Sequence, residues 1–187
     1  MQEQQQQGET KIEPRYTLEP RYTYAEYEHW EDSWELIEGS RVEHPSPVPR
    51  HALLATRLTN EFYNQLKSSP NCTVYQPLDY RITDDTVLIP DMLIVCGEIG
   101  EKYLDFPPVL VVEILSPSTA SRDRKIKFNL YESQGVLYYL ILSPESRKVE
   151  IYQWENGKYV LKAKGRDIGF TFLLAGSKAR IDFSQIW

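Results

Sequence analysis

The stretch VLVVEILSPSTASRDRKIKFNLYESQGV, residues 109–136, places one carboxylate, Glu113, inside a run of aliphatic residues and follows it with a basic cluster. A charge among aliphatic side chains costs several kcal/mol unless it is paired, hydrogen-bonded or bound to a metal ion. Prolines flank the run LVVEIL on both sides, and such a continuously apolar run is typical of a strand buried on both faces. The stretch therefore predicts a buried strand that carries a paired or metal-binding acid.

The segment after this strand predicts a helix that crosses over to a second strand. Ile126 and Leu130 lie four residues apart, and Gly135 suits a helix C-terminus. The apolar run VLYYLIL then predicts another buried strand. A strand–helix–strand unit of this kind makes residues 109–115 and 136–142 parallel neighbours in one sheet.

The remaining pattern predicts a mixed α/β (α+β) fold. The segment HALLATRLTNEFYNQLKSS gives one apolar helical face, formed by Leu54, Leu58, Phe62 and Leu66. Alternating β-formers in VYQPLDYRI and VLIPDMLIV predict a meander of strands, and KVEIYQWENGKYV predicts a hairpin that turns at Asn156. We expect a mixed central sheet flanked by helices, with a C-terminal β-hairpin extension.

Composition predicts one globular domain over residues 23–187, preceded by a polar, Gln-rich tail over residues 1–22 that we expect to be disordered. Hydrophobic residues make up 41% and charged residues 26% of the 187 positions. No apolar run reaches the length of about 20 residues that a bilayer span needs, so we expect a cytoplasmic protein. Cys72 and Cys96 have neither CxxC spacing nor a neighbouring His, so the sequence predicts reduced thiols and no zinc site.

The charge balance limits how this chain can hold a polyanion. With 21 Lys and Arg against 27 Asp and Glu, the net charge is −6, which is the wrong sign for bulk attraction to nucleic acid. A nucleic-acid partner would therefore have to contact a local basic patch.

Two acids and one lysine form the candidate catalytic group. Asp91 lies in the strand-like run VLIPDMLIV and Glu113 lies in LVVEIL, so the two carboxylates meet at one end of the sheet if the strands are adjacent. Asp123, Lys127 and Tyr131 are spaced by four and share one face of the following helix. Converging carboxylates favour a cation between them, and hard oxygen ligands suit Mg²⁺, with Mn²⁺ as the second choice. Together with a lysine, such a site suits phosphodiester hydrolysis, which needs an activated water and neutralised charge at phosphorus.

These motifs resemble a known superfamily. Pro90-Asp91, followed by Glu113 after an apolar strand, is similar to the PD-(D/E)XK restriction-endonuclease-like nucleases. WELIEG, PRH, VVEILSPST, RDRKIKFNLY and GV look like a bacterial restriction-endonuclease branch classed mainly as a domain of unknown function. The resemblance covers roughly Tyr24 to Tyr159, and its specificity lies in the ensemble of motifs.

The resemblance implies roles for particular residues. Asp91 and Glu113 would be metal ligands, with the backbone carbonyl of Ile114 as a third. The superfamily's usual lysine position is Leu115 in this chain, which implies that the catalytic lysine has moved to the following helix, at Lys127.

The same resemblance suggests supporting residues and partners. Glu38 and Ser116, together with Asp123, would support the site, whereas His51 is expected to make only a capping or core hydrogen bond. The basic residues that would contact nucleic acid are Arg122, Arg124 and Lys125. DNA is the substrate that the family implies, and cutting both strands of a duplex is most simply done by two sites, which favours a homodimer.

Other interpretations of these residues remain open from the sequence. Glu113 could form a structural ion pair with Lys127 or Arg124, and Lys127 could be a solvated partner of Asp123. The chain could then be a catalytically inactive descendant that serves as a nucleic-acid-binding or protein-interaction module. A phosphohydrolase acting on small molecules is a third alternative.

Overall fold

The computed structural model describes residues 21–69 and 71–187, which form three β-sheets and three main helices. The strands of this described part are β1 Trp34–Ile37, β2 Ser40–Glu43, β3 Cys72–Tyr75, β4 Tyr80–Thr83, β5 Thr86–Leu88, β6 Met92–Cys96, β7 Leu110–Ile114, β8 Tyr138–Ser143, β9 Lys148–Glu155, β10 Lys158–Gly165, β11 Gly169–Leu174 and β12 Ser177–Asp182. Helix α1 is Tyr24–Tyr27 and helix α2 is Pro49–Leu66. Helix α3 spans residues 120–133 in three parts, which are Ala120–Arg122, a π-helical turn Asp123–Lys127, and Phe128–Ser133. A short 3₁₀ turn, Phe183–Gln185, follows β12.

The central sheet has six strands in the order β10-β9-β8-β7-β6-β3. Strands β7 and β8 pair in parallel, with Ile114 opposite Leu142, and α3 provides the crossover. Strands β6 and β7 pair antiparallel, with Met92 opposite Val112. Continuing that register by one residue places Asp91 opposite Glu113. The predicted mixed fold and the parallel neighbours are both confirmed.

Helix α2 covers one face of the central sheet. Its four predicted apolar positions are all buried, and they pack against alternate strand residues such as Met92, Val112 and Leu140. This regular burial follows from the helical spacing of four, which puts the four side chains on one side of the helix. The hairpin β11–β12, which turns at Ala175 and Gly176, completes this layer.

The other face of the central sheet lies under α3 and a four-stranded sheet of order β2-β1-β5-β4. Val111, Tyr139 and Ile141 belong to this face, and by the alternation of strand side chains so does Glu113. Both faces of β7 are therefore covered, which explains its continuously apolar sequence. The buried face of α3 is its polar one, because Ile126 is 46% exposed while Asp123 and Lys127 are buried.

The C-terminal part contains more β-structure than predicted. The hairpin β9–β10 turns at Asn156 and Gly157, both with positive φ, as the Asn-Gly pair indicates. This hairpin extends the central sheet itself, and β11–β12 forms a second, separate hairpin.

The description of the chain begins at residue 21. Residues 1–20 of the predicted tail lie outside the described residues. Tyr22, which the prediction places in the tail, donates its backbone N–H to the carbonyl of Gly39 at 2.8 Å. Among the described helices, none has the length and apolar character needed to cross a bilayer.

The prediction of reduced cysteines is wrong, because Cys72 and Cys96 form a disulfide. The antiparallel register of β3 and β6 places the two residues directly opposite each other. Residues 24 positions apart become neighbours across a strand pair, and local cysteine spacing does not reveal such pairs.

The ion pair between Glu150 and Arg124 is partly exposed, and its contribution to the free energy of unfolding can be measured. Its carboxylate accepts two hydrogen bonds from Arg124, at 2.7 and 3.1 Å, which together with the Tyr152 hydroxyl lower its pKa from 4.5 to about 2. A depressed carboxyl pKa stabilises the folded state above pH 4.5, and this contribution is lost as the pH falls toward 2. Because solvent screens the partly exposed Arg124, we expect Glu150→Gln to lower the free energy of unfolding by about 1–2 kcal/mol at neutral pH.

Urea denaturation at several pH values measures this effect. The difference between wild type and Glu150→Gln should shrink as the pH falls from neutral to acidic values. Glu155→Gln, which removes a more exposed pair with Lys162, is the control and should change the midpoint little. A Glu150→Gln effect that does not vary with pH would contradict the ion-pair account.

Candidate active site

Glu113 is paired inside the protein, which answers the question raised by its aliphatic surroundings. Its side chain is nearly fully buried at the end of β7, and its Oε1 accepts hydrogen bonds from Lys127 Nζ at 2.9 Å and from the Tyr131 hydroxyl at 2.7 Å. Both donors come from α3, one helical turn apart. The predicted shared face of this helix is thus the face that contacts Glu113.

Lys127 lies at the centre of a group of acids that we call the acid–lysine cluster, formed by Glu35, Glu113, Asp123 and Lys127. The ammonium group is 2.7 Å from Glu35 Oε1, 2.9 Å from Glu113 Oε1 and 3.8 Å from Asp123 Oδ1. All four residues are buried. The lysine belongs to the π-helical turn of α3, and such wide turns within α-helices are frequent at functional sites.

Glu35 was not predicted, and it takes the place that the sequence assigned to Glu38. Glu35 is completely buried in β1, where its Oε1 also accepts the backbone N–H of Ile89 at 2.9 Å. Glu38 is exposed at the turn between β1 and β2, with a φ of +50°, and lies outside the cluster. Strand alternation in WELIEG could have identified Glu35, because it shares the core-facing side with Ile37.

Asp91 lies beside the end of β7, as predicted. Its Oδ2 accepts the backbone N–H of Ile114 at 2.7 Å and is 3.2 Å from His51 Nε2. His51 belongs to the first turn of α2, so this contact joins α2 to the strand end. Burial opposes protonation of His51, but the Asp91 carboxylate outweighs it and raises the pKa of the imidazole. His51 thus makes the core hydrogen bond expected of it.

The charges in the cluster are strongly coupled. Burial raises the pKa of Glu113 well above its ordinary value, against the opposing effect of Lys127, and the charges of Asp123, Asp91 and Glu35 raise it further. Burial lowers the pKa of Lys127, but the surrounding carboxylates outweigh burial and raise it. Lys127 is therefore an ammonium ion at any physiological pH.

Two of the three basic residues predicted to contact nucleic acid are engaged within the protein. Arg122 lies 3.5 Å from Glu35 and donates to the Glu43 carbonyl, and Arg124 pairs with Glu150. Lys125 is exposed.

Ser116 belongs to the turn before α3. Its hydroxyl hydrogen-bonds with the side chains of Ser118 and Thr119 at 3.0 and 3.1 Å. The structure brings this residue to the start of the helix and does not connect it to the acid–lysine cluster by a hydrogen bond among the described residues.

The donor set fits a hydrated divalent ion better than a closed metal cage. Within residues 21–69 and 71–187, no group of three or more His, Cys, Asp or Glu side chains is placed to hold a metal ion. Mg²⁺ is commonly bound by one or two carboxylates and keeps several waters. The hydrogen bonds that Asp91 and Glu113 accept from described residues fall on Oδ2 and Oε1, and the second oxygen of each accepts none from those residues.

Three buried polar atoms of the site make ion-pair contacts that are too long or misaligned to count as hydrogen bonds. In the described part of the chain, Glu35 Oε2, Asp123 Oδ1 and Arg122 Nη2 are buried without a hydrogen-bond partner. Buried polar atoms are nearly always hydrogen-bonded in folded proteins. Lys127 and Arg122 are the cations that face the acids of the cluster, and Asp91 is paired with His51.

The chain is similar in sequence to one protein family and to a cyanobacterial protein. A family model described as "Putative restriction endonuclease" (Uma2) matches residues 23–167. The uncharacterized protein slr1290 from Synechocystis sp. is 30% identical over 142 residues, which span 71% of this chain and 74% of that protein.

A solved structure shares the fold. The crystal structure of a putative nuclease belonging to DUF820 from Anabaena variabilis matches with a TM-score of 0.72 at 17% identity, over 88% of this chain and 96% of that chain. The resemblance to restriction-endonuclease-like proteins is confirmed by the family match and by this fold.

The buried Lys127 should be essential for stability whatever its chemical role. Removing the ammonium leaves the acids of the cluster without their central cation, and breaking a buried ion pair costs about 3–5 kcal/mol. We expect Lys127→Met to lower the free energy of unfolding by this amount, and Glu113→Gln in the same chain to restore part of it.

A double-mutant cycle followed by urea denaturation measures this coupling. Lys102→Met, which removes an exposed pair with Glu28, is the control and should leave the midpoint nearly unchanged. Strictly additive free energies for Lys127→Met and Glu113→Gln would show that the two side chains do not interact.

Proposed function

This chain belongs to the Uma2 family of putative restriction endonucleases, and from that premise we propose that it is a metal-dependent endonuclease that hydrolyses phosphodiester bonds of DNA. The observation that carries the proposal is the buried Lys127, which contacts Glu113 at 2.9 Å at the strand end where Asp91 also lies. A lysine beside two acids at a strand end is the arrangement that the resemblance implied, with the lysine supplied by α3.

Asp91 and Glu113, with the backbone carbonyl of Ile114, would hold Mg²⁺ or Mn²⁺. When bound, such an ion supplies Lewis acidity at the phosphate and lowers the pKa of water. The oxygen donors of Asp91, Glu113 and Ile114 suit these hard cations. The site also contains more acids than basic side chains, which favours binding of a metal cation.

Lys127 acts as a cation and not as a base. Its raised pKa keeps the amine protonated, so it cannot accept a proton from water at neutral pH. An ammonium group has three donors, and two of them are used by Glu35 and Glu113 at hydrogen-bond distance. The third can be donated to a phosphate oxygen or to the attacking water, which stabilises the charge that develops at phosphorus.

Glu35 positions the lysine. Its Oε1 is fixed by the backbone N–H of Ile89 and in turn accepts from Lys127 at 2.7 Å. Because two acids on opposite sides hold the ammonium, its position depends on β1 as well as on β7. We therefore assign Glu35 the supporting role that the sequence gave to Glu38, alongside Asp123.

A homodimer that acts in the cytoplasm remains part of the proposal. A single site cuts one strand, so cleavage of a duplex at one position is simplest when two copies act together. Electrophoresis that separates nicked from linear plasmid shows whether the protein cuts one strand or both strands at a position.

The second candidate function is a catalytically inactive module that binds nucleic acid or protein. Its support is the completeness of the ion pairs around Lys127, together with a metal-ligand set that depends on only two carboxylates and a carbonyl. In that case the cluster would be a structural ion network, and the protein would bind no divalent ion.

Cleavage of plasmid DNA separates these two functions. We expect nicking by the wild-type protein with Mg²⁺ or Mn²⁺, none with a chelator, and a loss of about a hundredfold or more in Glu113→Gln and Asp91→Asn. The chemically matched controls are Glu101→Gln and Asp105→Asn, two exposed acids that should leave the rate unchanged.

Calorimetric titration with Mg²⁺ and Mn²⁺ accompanies the cleavage assay. Binding by wild type that is weakened in Glu113→Gln supports the proposed ligands. Absence of both cleavage and metal binding in the wild-type protein would overturn the nuclease proposal and favour the binding module.

A further inference from the structure

A basic cleft lies between α2 and the turn that joins β8 to β9. Its volume is about 240 Å³. Three arginines line it, namely Arg50 and Arg57 from α2 and Arg147 from the turn, and the other lining positions are apolar. Arg50 and Arg57 are seven residues apart, which places them on one side of the helix two turns from each other.

No acidic side chain among the described residues forms an ion pair with Arg50 or Arg147, and Arg57 is held by the oxygens of Ile186 and Trp187. Arg57 donates to the backbone oxygen of Trp187 at 2.8 Å, which orients its guanidinium at the cleft. In a chain with a net charge of −6, this cleft is a local concentration of positive charge.

The cleft lies at the same end of the central sheet as the candidate active site. Arg50 is adjacent in sequence to His51, whose Nε2 is 3.2 Å from Asp91. Arg147 follows β8, and the C-terminal end of β8 lies beside the C-terminal end of β7, because these strands are parallel. Both sides of the cleft therefore lie at the end of the sheet where β7 and β8 end, on the face covered by α2, whereas Glu113 faces α3.

Two of the three basic residues predicted from the sequence to contact nucleic acid are already paired with acids. Arg122 and Arg124 are engaged with Glu35 and Glu150, so their charges are already compensated inside the protein. A polyanion that reaches the acid–lysine cluster needs other cations to offset repulsion by the acidic surface. The cleft supplies three of them at the same end of the sheet.

We propose that Arg50, Arg57 and Arg147 bind the phosphodiester backbone of DNA on one side of the scissile bond. Guanidinium groups suit this role because their planar donors match phosphate oxygens in pairs. Leu53, which is 50% exposed in the same cleft, offers an apolar contact for deoxyribose. These contacts position the backbone and carry no base specificity. The proposal rests on the proposed function, since it takes DNA as the substrate.

Binding of a short fluorescein-labelled DNA duplex, followed by anisotropy in the presence of a chelator, tests this surface without cleavage. We expect Arg50→Ala and Arg147→Ala each to weaken binding roughly fivefold, and the triple variant with Arg57→Ala to weaken it more than about a hundredfold. The slope of log affinity against log salt concentration should fall by about one for each arginine removed.

Two exposed lysines far from the cleft provide matched controls. Lys158 lies opposite Glu155, at the end of β9 remote from the β8–β9 turn, and Lys178 lies in β12 near the C-terminal end of α2. Lys158→Ala and Lys178→Ala remove the same charge and should leave affinity and salt slope unchanged. Because Arg57 also bonds to the backbone, Arg57→Lys keeps the charge without the paired donors and should weaken binding less than Arg57→Ala.

The Arg50/Arg147 double variant is decisive if Arg57→Ala does not fold.

The outcomes of this test and of the cleavage assay are separable. Arginine variants that bind the duplex as tightly as wild type, while wild type cleaves, would overturn the cleft proposal and leave the nuclease proposal standing. Arginine-dependent binding without cleavage would support the cleft and overturn the nuclease. A wild-type protein that binds no duplex overturns the cleft proposal directly.

Discussion

Burying an ammonium group costs several kcal/mol, and in this protein that cost is offset by acids from two other elements of the fold and by one from its own helix. Lys127 reaches the interior from a crossover helix, Glu113 from the central sheet and Glu35 from a separate small sheet. Each of these elements has to be in place for the ammonium to be compensated. The packing of α3 and of the four-stranded sheet on the central sheet is thereby tied to one electrostatic centre.

The polar underside of α3 follows from this constraint. An ordinary crossover helix packs an apolar stripe on its sheet, and here the stripe that faces the sheet contains Asp123, Lys127 and Tyr131. Ile126, which an apolar periodicity would bury, is exposed instead. The helix gains its contacts with the sheet through hydrogen bonds and ion pairs as well as through Tyr131 and Phe128, so a purely hydrophobic replacement of this face would lose the site.

The sequence predicted the elements whose patterns are local and missed the features that depend on distant pairing. The spacing of four identified α2, and the strand–helix–strand order identified the parallel pair β7–β8 and the approach of Lys127 to Glu113. Glu35 was missed because WELIEG contains two acids, and only the strand phase distinguishes the buried one from the one at the turn. The cysteine pair depends on the register of β3 against β6, which no short spacing encodes.

The basic cluster RDRK illustrates a further limit of sequence patterns. Its charge was visible, but whether an arginine faces solvent or an internal acid is decided by tertiary contacts with Glu35 and Glu150. The cleft arginines are scattered between residues 50 and 147 and form no run, so only the folded chain brings them together. A run of basic residues in the sequence therefore does not show where positive charge is concentrated on the folded protein.

The connectivity of the acid–lysine cluster has a consequence for the newly synthesised protein. Glu35 precedes Lys127 by 92 residues, and a contact of such long sequence separation forms only when most of the domain has closed. In a chain that emerges from the ribosome, Glu35 is synthesised long before Lys127. The acid–lysine cluster cannot form until α3 has crossed over the sheet. A partly folded chain in which α3 has not yet crossed over the sheet therefore lacks the acid–lysine cluster.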